Sequence, residues 1–398
     1  MNRRIIFFII IILLNIILCS CGSSNEIDKL AIAAAIGIDK AENGYRVTAQ
    51  IIIPSEISSR YSKGQSPITV YTATATTIFE AFRRMSRETS RKIYVSHIQV
   101  LVFGEEVARD GINKVIDFIS REHEFRTDFY VLVAKNNTAY NILNTLTPIE
   151  KVPANHIHEF VGVSRKIWGT TTDVQLDELV RILSLEGQSL VLAGVLELGD
   201  EKKGEEAKSL EKTSPPNVLR LQYIAAFKKD KLIGWLDEDE SKGYSYIVGK
   251  IEGTVESLEG LGEGIIAIEV KKTKSKIKAE ISDGAPVINV NIKVEANIEE
   301  LQIQTDLANV DSINKIEKLA EEKIEYLCKS SIKKAQNELK TDIFGFGEAI
   351  HRTYPKIWRE LKEDWSNEFD SIPVKITVNV DIKETGTIIN LPTKEEME

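Results

Sequence analysis

Residues 286–303 contain the stretch INVNIKVEANIEEL, in which apolar and polar side chains alternate with period two. Alternation over that length presents one face to a core and the other to water, the signature of a half-buried strand. Two more alternating segments, 265–272 and 275–281, come just before it, after a run dense in glycine (Gly249, Gly253, Gly260, Gly262, Gly264). The period then changes. From about Val310 to Leu339 the apolar residues Ile313, Ile316, Ala320, Ile324, Leu327 and Ala335 form one helical stripe. A second helical region, DIFGFGEAIHRTYPKIWRELKEDW, follows, and IPVKITVNVDIK at 372–383 closes with a strand. The order β-β-β-α-α-β predicts a mixed or antiparallel sheet backed by helices.

Upstream, LAIAAAIGI (30–38) and YRVTAQIII read as strands around a turn at Asn43-Gly44. A loop at 55–68 and a strand at 69–76 come next. Helical patterns at 77–91 and 105–120 alternate with strands at 98–103 and 129–134. Residues 136–186 are mostly helical, 189–198 is a strand, and 199–217 is a charged, apolar-poor loop expected to be mobile. LRLQYIAAFKKDKLIGWLDEDE reads as a hairpin turning near Lys229-Asp230. The expected class is α+β, divided into a leader (1–20), an N-terminal domain (21–139), a middle domain (140–252) and a C-terminal domain (253–390).

The N-terminus sets the compartment. Arg3 and Arg4 precede a 14-residue run, Ile5–Leu18, broken in its apolar character only by Asn15. As a helix this is roughly 21 Å long, short of the about 30 Å a bilayer core requires. A basic start, a short apolar stretch and small residues are the pattern of a secretory signal. The charge is −9 over the whole chain, and two units more negative without Arg3 and Arg4. An acidic body argues against nucleic-acid binding and against adhesion to anionic lipid by net charge. Of Cys19, Cys21 and Cys328, the last lies in a helical pattern and reads as a small core residue.

The chemical motifs are weak. His156 and His158 would share a face on a strand, but they have no Cys or HExxH partner. The SxxK matches at Ser275 and Ser330 lack companion hydrolase motifs. Gly260–Gly264 precedes a strand, where a dinucleotide loop needs a helix. An EF-hand loop from Asp237 would require Gly at 242 and Glu at 248, where Lys and Val stand, so DEDES reads as a solvated acidic turn. Tyr354, Trp358, Leu361, Trp365 and Phe369 mark one helix face, either core or a protein-binding stripe. No constellation supports catalysis, so the residues point to a binding or assembly protein.

Leu18 at −3, Ser20 at −1 and Cys21 at +1 resemble a bacterial lipobox. That resemblance implies a diacylglyceryl group on the Cys21 thiol, two acyl chains giving stable anchoring, and no other cofactor. Three further stretches resemble the C subunits of spore-germinant receptors: EIDKLAIAAAIGIDK…GYRVTAQIIIP, AAFKKDKLIGWLDEDESKGYSYIVGKI and DIFGFGEAIHRTYPKIWRELKEDWSNEF. Trp235, Leu236, Glu240 and Gly243 stand in the matching places of the second. Phe346, Gly347, Pro355, Trp358 and Trp365 do so in the third. Gly22-Ser23 departs from the family's common Trp-Asp pair after the lipidated cysteine. The resemblance implies an elongated three-domain lipoprotein, non-enzymatic, on the outer face of the spore inner membrane. It also implies A-type and B-type receptor subunits as partners in nutrient-triggered germination. Trp235, Glu240, Gly243, Phe346, Tyr354, Trp358 and Trp365 are the candidate partner contacts. The alternative is a solute-binding lipoprotein serving a transporter.

Overall fold

The computed structural model describes residues 29–58, 65–199, 213–214, 217–262, 264–303 and 307–385, together with residues 3, 4 and 7. Cys21 lies outside the described residues, as do nearly all of the leader and of the 199–217 loop. No described helix is long and apolar enough to cross a membrane.

The first unit is built on a nine-stranded sheet. Its elements run β1 (Leu30–Ala41), β2 (Gly44–Ile52), α1 (Pro54–Ile57), β3 (Ile68–Ala75), α2 (Ile78–Met85), β4 (Lys92–Tyr94) and β5 (Val100–Gly104). There follow α3 (Glu105–Asp110), α4 (Asn113–Arg121), β6 (Tyr130–Ala134), α5 (Ala139–Asn144), α6 (Pro153–Ile167) and α7 (Leu176–Leu183). The unit closes with β7 (Val191–Gly199), β8 (Asn217–Lys228) and β9 (Lys231–Leu236). The spatial order is β3-β2-β1-β5-β6-β7-β8-β9, with β4 alongside the start of β1. The central pairs β1–β5, β5–β6 and β6–β7 are parallel, and the flanking pairs are antiparallel. Parallel strands are covered on both faces, and here α2, α4 and α7 pack on one side while α5 and α6 pack on the other. β5, VLVFG, is accordingly buried at every position.

This sheet crosses the 139/140 boundary expected from sequence, because β6 pairs with β7. Side chains reinforce the continuity. The Asp39 carboxylate on β1 accepts from the backbone N–H groups of Ala139 (2.7 Å) and Tyr140 (3.0 Å) at the start of α5. Gln50 on β2 donates to the Leu143 carbonyl (2.6 Å) and accepts from Ala154 N–H (3.0 Å). Residues 140–236 therefore complete the first sheet rather than forming one of their own.

The second unit comprises α8 (Glu238–Val248), β10 (Thr254–Leu258), β11 (Ile266–Ser282), β12 (Ala285–Leu301) and α9 (Val310–Lys333). It is completed by α10 (Phe346–Thr353), α11 (Pro355–Leu361), α12 (Trp365–Ser371) and β13 (Val374–Glu384). α9 runs on into a π-helical turn, Lys334–Leu339. The sheet order is β10-β11-β12-β13, with β13 parallel to β12. The β-β-β-α-α-β expectation holds in outline, with three differences. Segments 265–272 and 275–281 are one 17-residue strand, because a bulge between Val270 and Lys272 interrupts the alternation without ending the ladder. The glycine-dense stretch holds a strand of its own, β10, and the Gly260–Gly264 run connects it to β11. The aromatic stripe spans three short helices, not one, because Pro355 starts a new helix and a 3₁₀ turn separates α11 from α12.

Candidate interaction site

The sequence-selected residues occupy three places. Trp235, on β9, lies over a bulge between β7 and β8, where the register slips between Ala193 and Val195. Gly194 is required there, since a Cβ would meet the indole and the carbonyls of Gln222 and Tyr223. Tyr223 adopts φ 74°, a left-handed conformation rare for a side-chain-bearing residue. The Lys135 ammonium sits 4.2 Å from the Tyr223 ring and 4.6 Å from the Trp235 ring. Trp235 Nε1 donates to Glu105 at 3.3 Å. Burial lowers the Lys135 pKa. Burial pushes Glu105 up, but hydrogen bonds from Asn136, Arg109 and Trp235 hold it below its ordinary value. The cluster is half-buried, and its groups are committed to one another.

Glu240 and Gly243 lie on α8. DEDES is a helix start rather than a turn. Asp237 is the N-cap, accepting from Glu240 N–H at 2.9 Å, while the Glu240 carboxylate accepts from Asp237 N–H at 2.9 Å. Gly243 faces α9 so closely that a Cβ would collide with the Leu327 carbonyl. One residue before it, the buried Lys242 ammonium donates to the Val255 carbonyl (2.9 Å), stands 3.6 Å from Glu256 and lies 4.6 Å from the Trp168 ring. Tyr246 donates to Glu256 at 3.0 Å. Burial raises the Glu256 pKa against the opposing pull of Lys242 and Tyr246. α8 thus clamps β10 and α9, and its far end reaches the first unit through Lys250 to Asp173 (3.2 Å) and Glu178 (3.4 Å).

The aromatic residues converge on a carboxylate that sequence reasoning missed. Asp342 is buried, and its oxygens accept from the backbone N–H groups of Phe344 (3.1 Å), Gly345 (2.9 Å) and Gly347 (2.8 Å) and from Trp365 Nε1 (3.3 Å). Burial pushes its pKa up to about 6 despite these donors. Phe346 stacks on Phe344 with centroids 5.0 Å apart, and Trp358 meets Trp365 edge-on at 5.2 Å. Phe346, Trp358 and Trp365 are core side chains, so they do not offer an exposed docking stripe. Tyr354, at the α10–α11 junction, is half-buried. Opposite this knot lies the 187–189 segment of the first unit. Ser189 N–H donates to the Asp342 carbonyl (2.7 Å), the Ser189 and Thr341 hydroxyls are 2.7 Å apart, and Glu348 N–H donates to the Gly187 carbonyl (3.1 Å). Gly187 and Gly347 touch backbone to backbone, where a Cβ on either would clash. A single hydrophobic cluster joins Ile224, Ala226 and Leu236 of the first sheet to Phe344, Phe346, Trp358 and Trp365. The two signature stretches therefore weld the units together.

The other chemical candidates fall into structural roles. His156 and His158 lie on α6, not on a strand, so their rings diverge; His158 stacks on Tyr130 at 4.8 Å. Among the described residues no group of three or more His, Cys, Asp or Glu side chains is placed to hold a metal ion. Cys328 is buried, its thiol 3.8 Å from the Gly243 carbonyl and its pKa raised by burial. Ser275 donates to the Ile247 carbonyl at 2.6 Å.

The model of the spore germination protein N-terminal domain matches residues 23–196, and that of the spore germination B3/GerAC-like C-terminal domain matches residues 222–386. The chain belongs to the GerAC-like family of spore germination proteins. It is 29% identical to spore germination protein KC of Bacillus subtilis (strain 168) over 100% of this chain and 99% of that one. Spore germination proteins B3 and A3 of the same organism are 26% and 24% identical, covering 93% and 94% of this chain and 95% of each relative. The crystal structure of the GerBC protein matches with a TM-score of 0.57 at 21% identity, covering 87% of this chain and 96% of that one, which shows the shared α+β fold. The germinant-receptor C-subunit resemblance read from the signatures is therefore correct, and membership in this spore-associated family gives the chain a role in spore germination.

Proposed function

We propose that this GerAC-like chain is the lipid-anchored, non-catalytic C subunit of a nutrient germinant receptor. The observation that carries this reading is the ordered match of both family domains along the chain. Cys21 bears the diacylglyceryl group and becomes the mature N-terminus, and no other cofactor takes part. The body stands on the outer face of the spore inner membrane and docks on A-type and B-type subunits. Phe346, Trp358, Trp365 and Gly243 support docking from within by fixing how the two units sit. Trp235, Glu240 and Tyr354, which keep part of their surface, serve as contacts. Cys21→Ala tests the anchor: fatty-acid labelling is lost and the protein leaves the spore membrane fraction. Unchanged labelling contradicts it.

A second reading, solute binding, has one observation in its favour. A polar cleft of about 740 Å³ opens between the units, lined by Ser184, Lys228, Asp230, Thr341, Lys362 and Ser366 among others. Calorimetry of the purified chain alone against amino acids, sugars and nucleosides separates the two. The receptor-subunit reading expects no heat of tight binding.

A further inference from the structure

The outer face of the second sheet carries a charge pattern that folding does not explain. Register places Lys274 directly opposite Lys293, and Lys278 and Lys375 on either side of Asn289. Lys276 faces Asn291, which faces Thr377. Directly opposed residues share a face, so Lys274, Lys276, Lys278, Lys293 and Lys375 form one cluster on three adjacent strands. At strand spacings it covers roughly 14 by 10 Å. All five side chains are exposed. Among the described residues none of the five has an ion-pair or side-chain hydrogen-bond partner, whereas lysines at the margins do: Lys272 pairs with Glu295 at 3.7 Å, and Lys383 pairs with Asp381. Glu280 borders the cluster beyond Lys278. Like charges directly opposed across strands destabilise a sheet, and the chain as a whole is acidic at −9. A concentrated, unneutralised basic face is thus kept against both tendencies.

We propose that this face rests on an anionic phospholipid bilayer. Among the lysines the face carries Asn289, Asn291, Thr377 and Asn379, with no aromatic side chain and no arginine, and its acidic residues, Glu280, Glu295 and Asp381, stand only at the margins. Protein interfaces favour Trp, Tyr and Arg and are depleted in Lys. A flat field of lysines suits delocalised attraction to a charged lipid surface. The acidic net charge does not oppose this, because screening confines each interaction to about 8–10 Å. The second unit is thereby held down on the membrane, which orients the welded body. The inference rests on the membrane setting proposed above but not on acylation itself.

The test is lysine footprinting of the full chain reconstituted in vesicles, reading acetylation rates by mass spectrometry. Vesicles of phosphatidylcholine alone are compared with vesicles containing 30% phosphatidylglycerol. The five lysines are expected to react at least fivefold more slowly in the anionic vesicles, with 0.5 M NaCl abolishing the difference and the exposed Lys114 and Lys166 unaffected. Equal rates in both vesicles overturn the proposal. Equal protection by soluble glycerophosphoglycerol assigns the face to a small anion, and protection by duplex DNA but not by anionic vesicles assigns it to nucleic acid; either overturns it too. Failure to float with neutral vesicles speaks against the anchor alone, since binding of the chain from solution to anionic vesicles still decides the face. The triple variant Lys274→Gln, Lys276→Gln, Lys278→Gln keeps the fold, as read by its thermal transition, and loses the protection at Lys293 and Lys375.

Discussion

Trp365 donates its indole N–H to the carboxylate of Asp342 at 3.3 Å, tying the last helix of the aromatic signature to the loop on which the two units meet. The bond belongs to a buried carboxylate surrounded by N–H donors and without a cationic partner among the described residues. Its pKa of about 6 lies above the usual 3.8 for an aspartate. Between these values the folded state holds the proton more tightly, so this group's contribution to stability is full below about 4 and declines as pH rises through about 6. The decline is on the order of 3 kcal/mol by the size of the shift. Urea unfolding from pH 4 to 7.5 should show it as the difference between wild type and Asp342→Asn, whose side chain does not titrate.

Gly243 and Gly162 give opposite expectations for the same substitution. A Cβ on Gly243 collides with the Leu327 backbone, and Gly243→Ala should destabilise by about 1–3 kcal/mol through overpacking. At Gly162, in α6, an added methyl group would meet no atom of the described residues within 4 Å. Gly162→Ala should stabilise by about 0.5–1 kcal/mol through helix propensity. Thermal melts of the two variants check both signs.

Lys242 and Glu256 behave as a buried pair. Lys242→Met alone should cost about 3–5 kcal/mol by leaving the carboxylate without its cation. Adding Glu256→Gln, which still accepts from Tyr246, should restore much of the loss. A double-mutant cycle with additive costs would contradict the pairing.

Trp358 is 1% exposed. Trp358→Ala should lower stability by about 3–5 kcal/mol. Any loss of partner binding in that variant should track loss of folding across temperature. Lost binding with an unchanged thermal transition would show that the residue touches a partner directly.

The fold was legible where one periodicity ran undisturbed. The alternation of β12 and the stripe of α9 gave their elements to within a few residues. Reading failed where one residue changes the geometry. Gly111, at φ 125°, splits the expected 105–120 helix into α3 and α4. The bulge after Val270 exposes Lys271 and Lys272 in succession and makes one strand look like two. The HxH pair suggests a shared face only if a strand is assumed, and Pro153 starts a helix instead. The aromatic signature was visible, but its orientation was not: a 4-3-4-4 spacing is the same whether the stripe faces water or a core. Asp342 left no local mark, since its partners are the backbone N–H groups of Phe344, Gly345 and Gly347 and an indole 23 positions away. The parallel pairing of β6 with β7, 57 residues apart at the nearest ends, likewise lies beyond any short window.

The most direct measurement is affinity isolation of the full chain from detergent-solubilised dormant-spore membranes, with mass spectrometry of what accompanies it. A receptor C subunit should bring down a multi-span transporter-like protein together with an A-type subunit, in constant ratio across repeats. Isolation alone, or with the permease of a solute transporter, would contradict assembly into a germinant receptor.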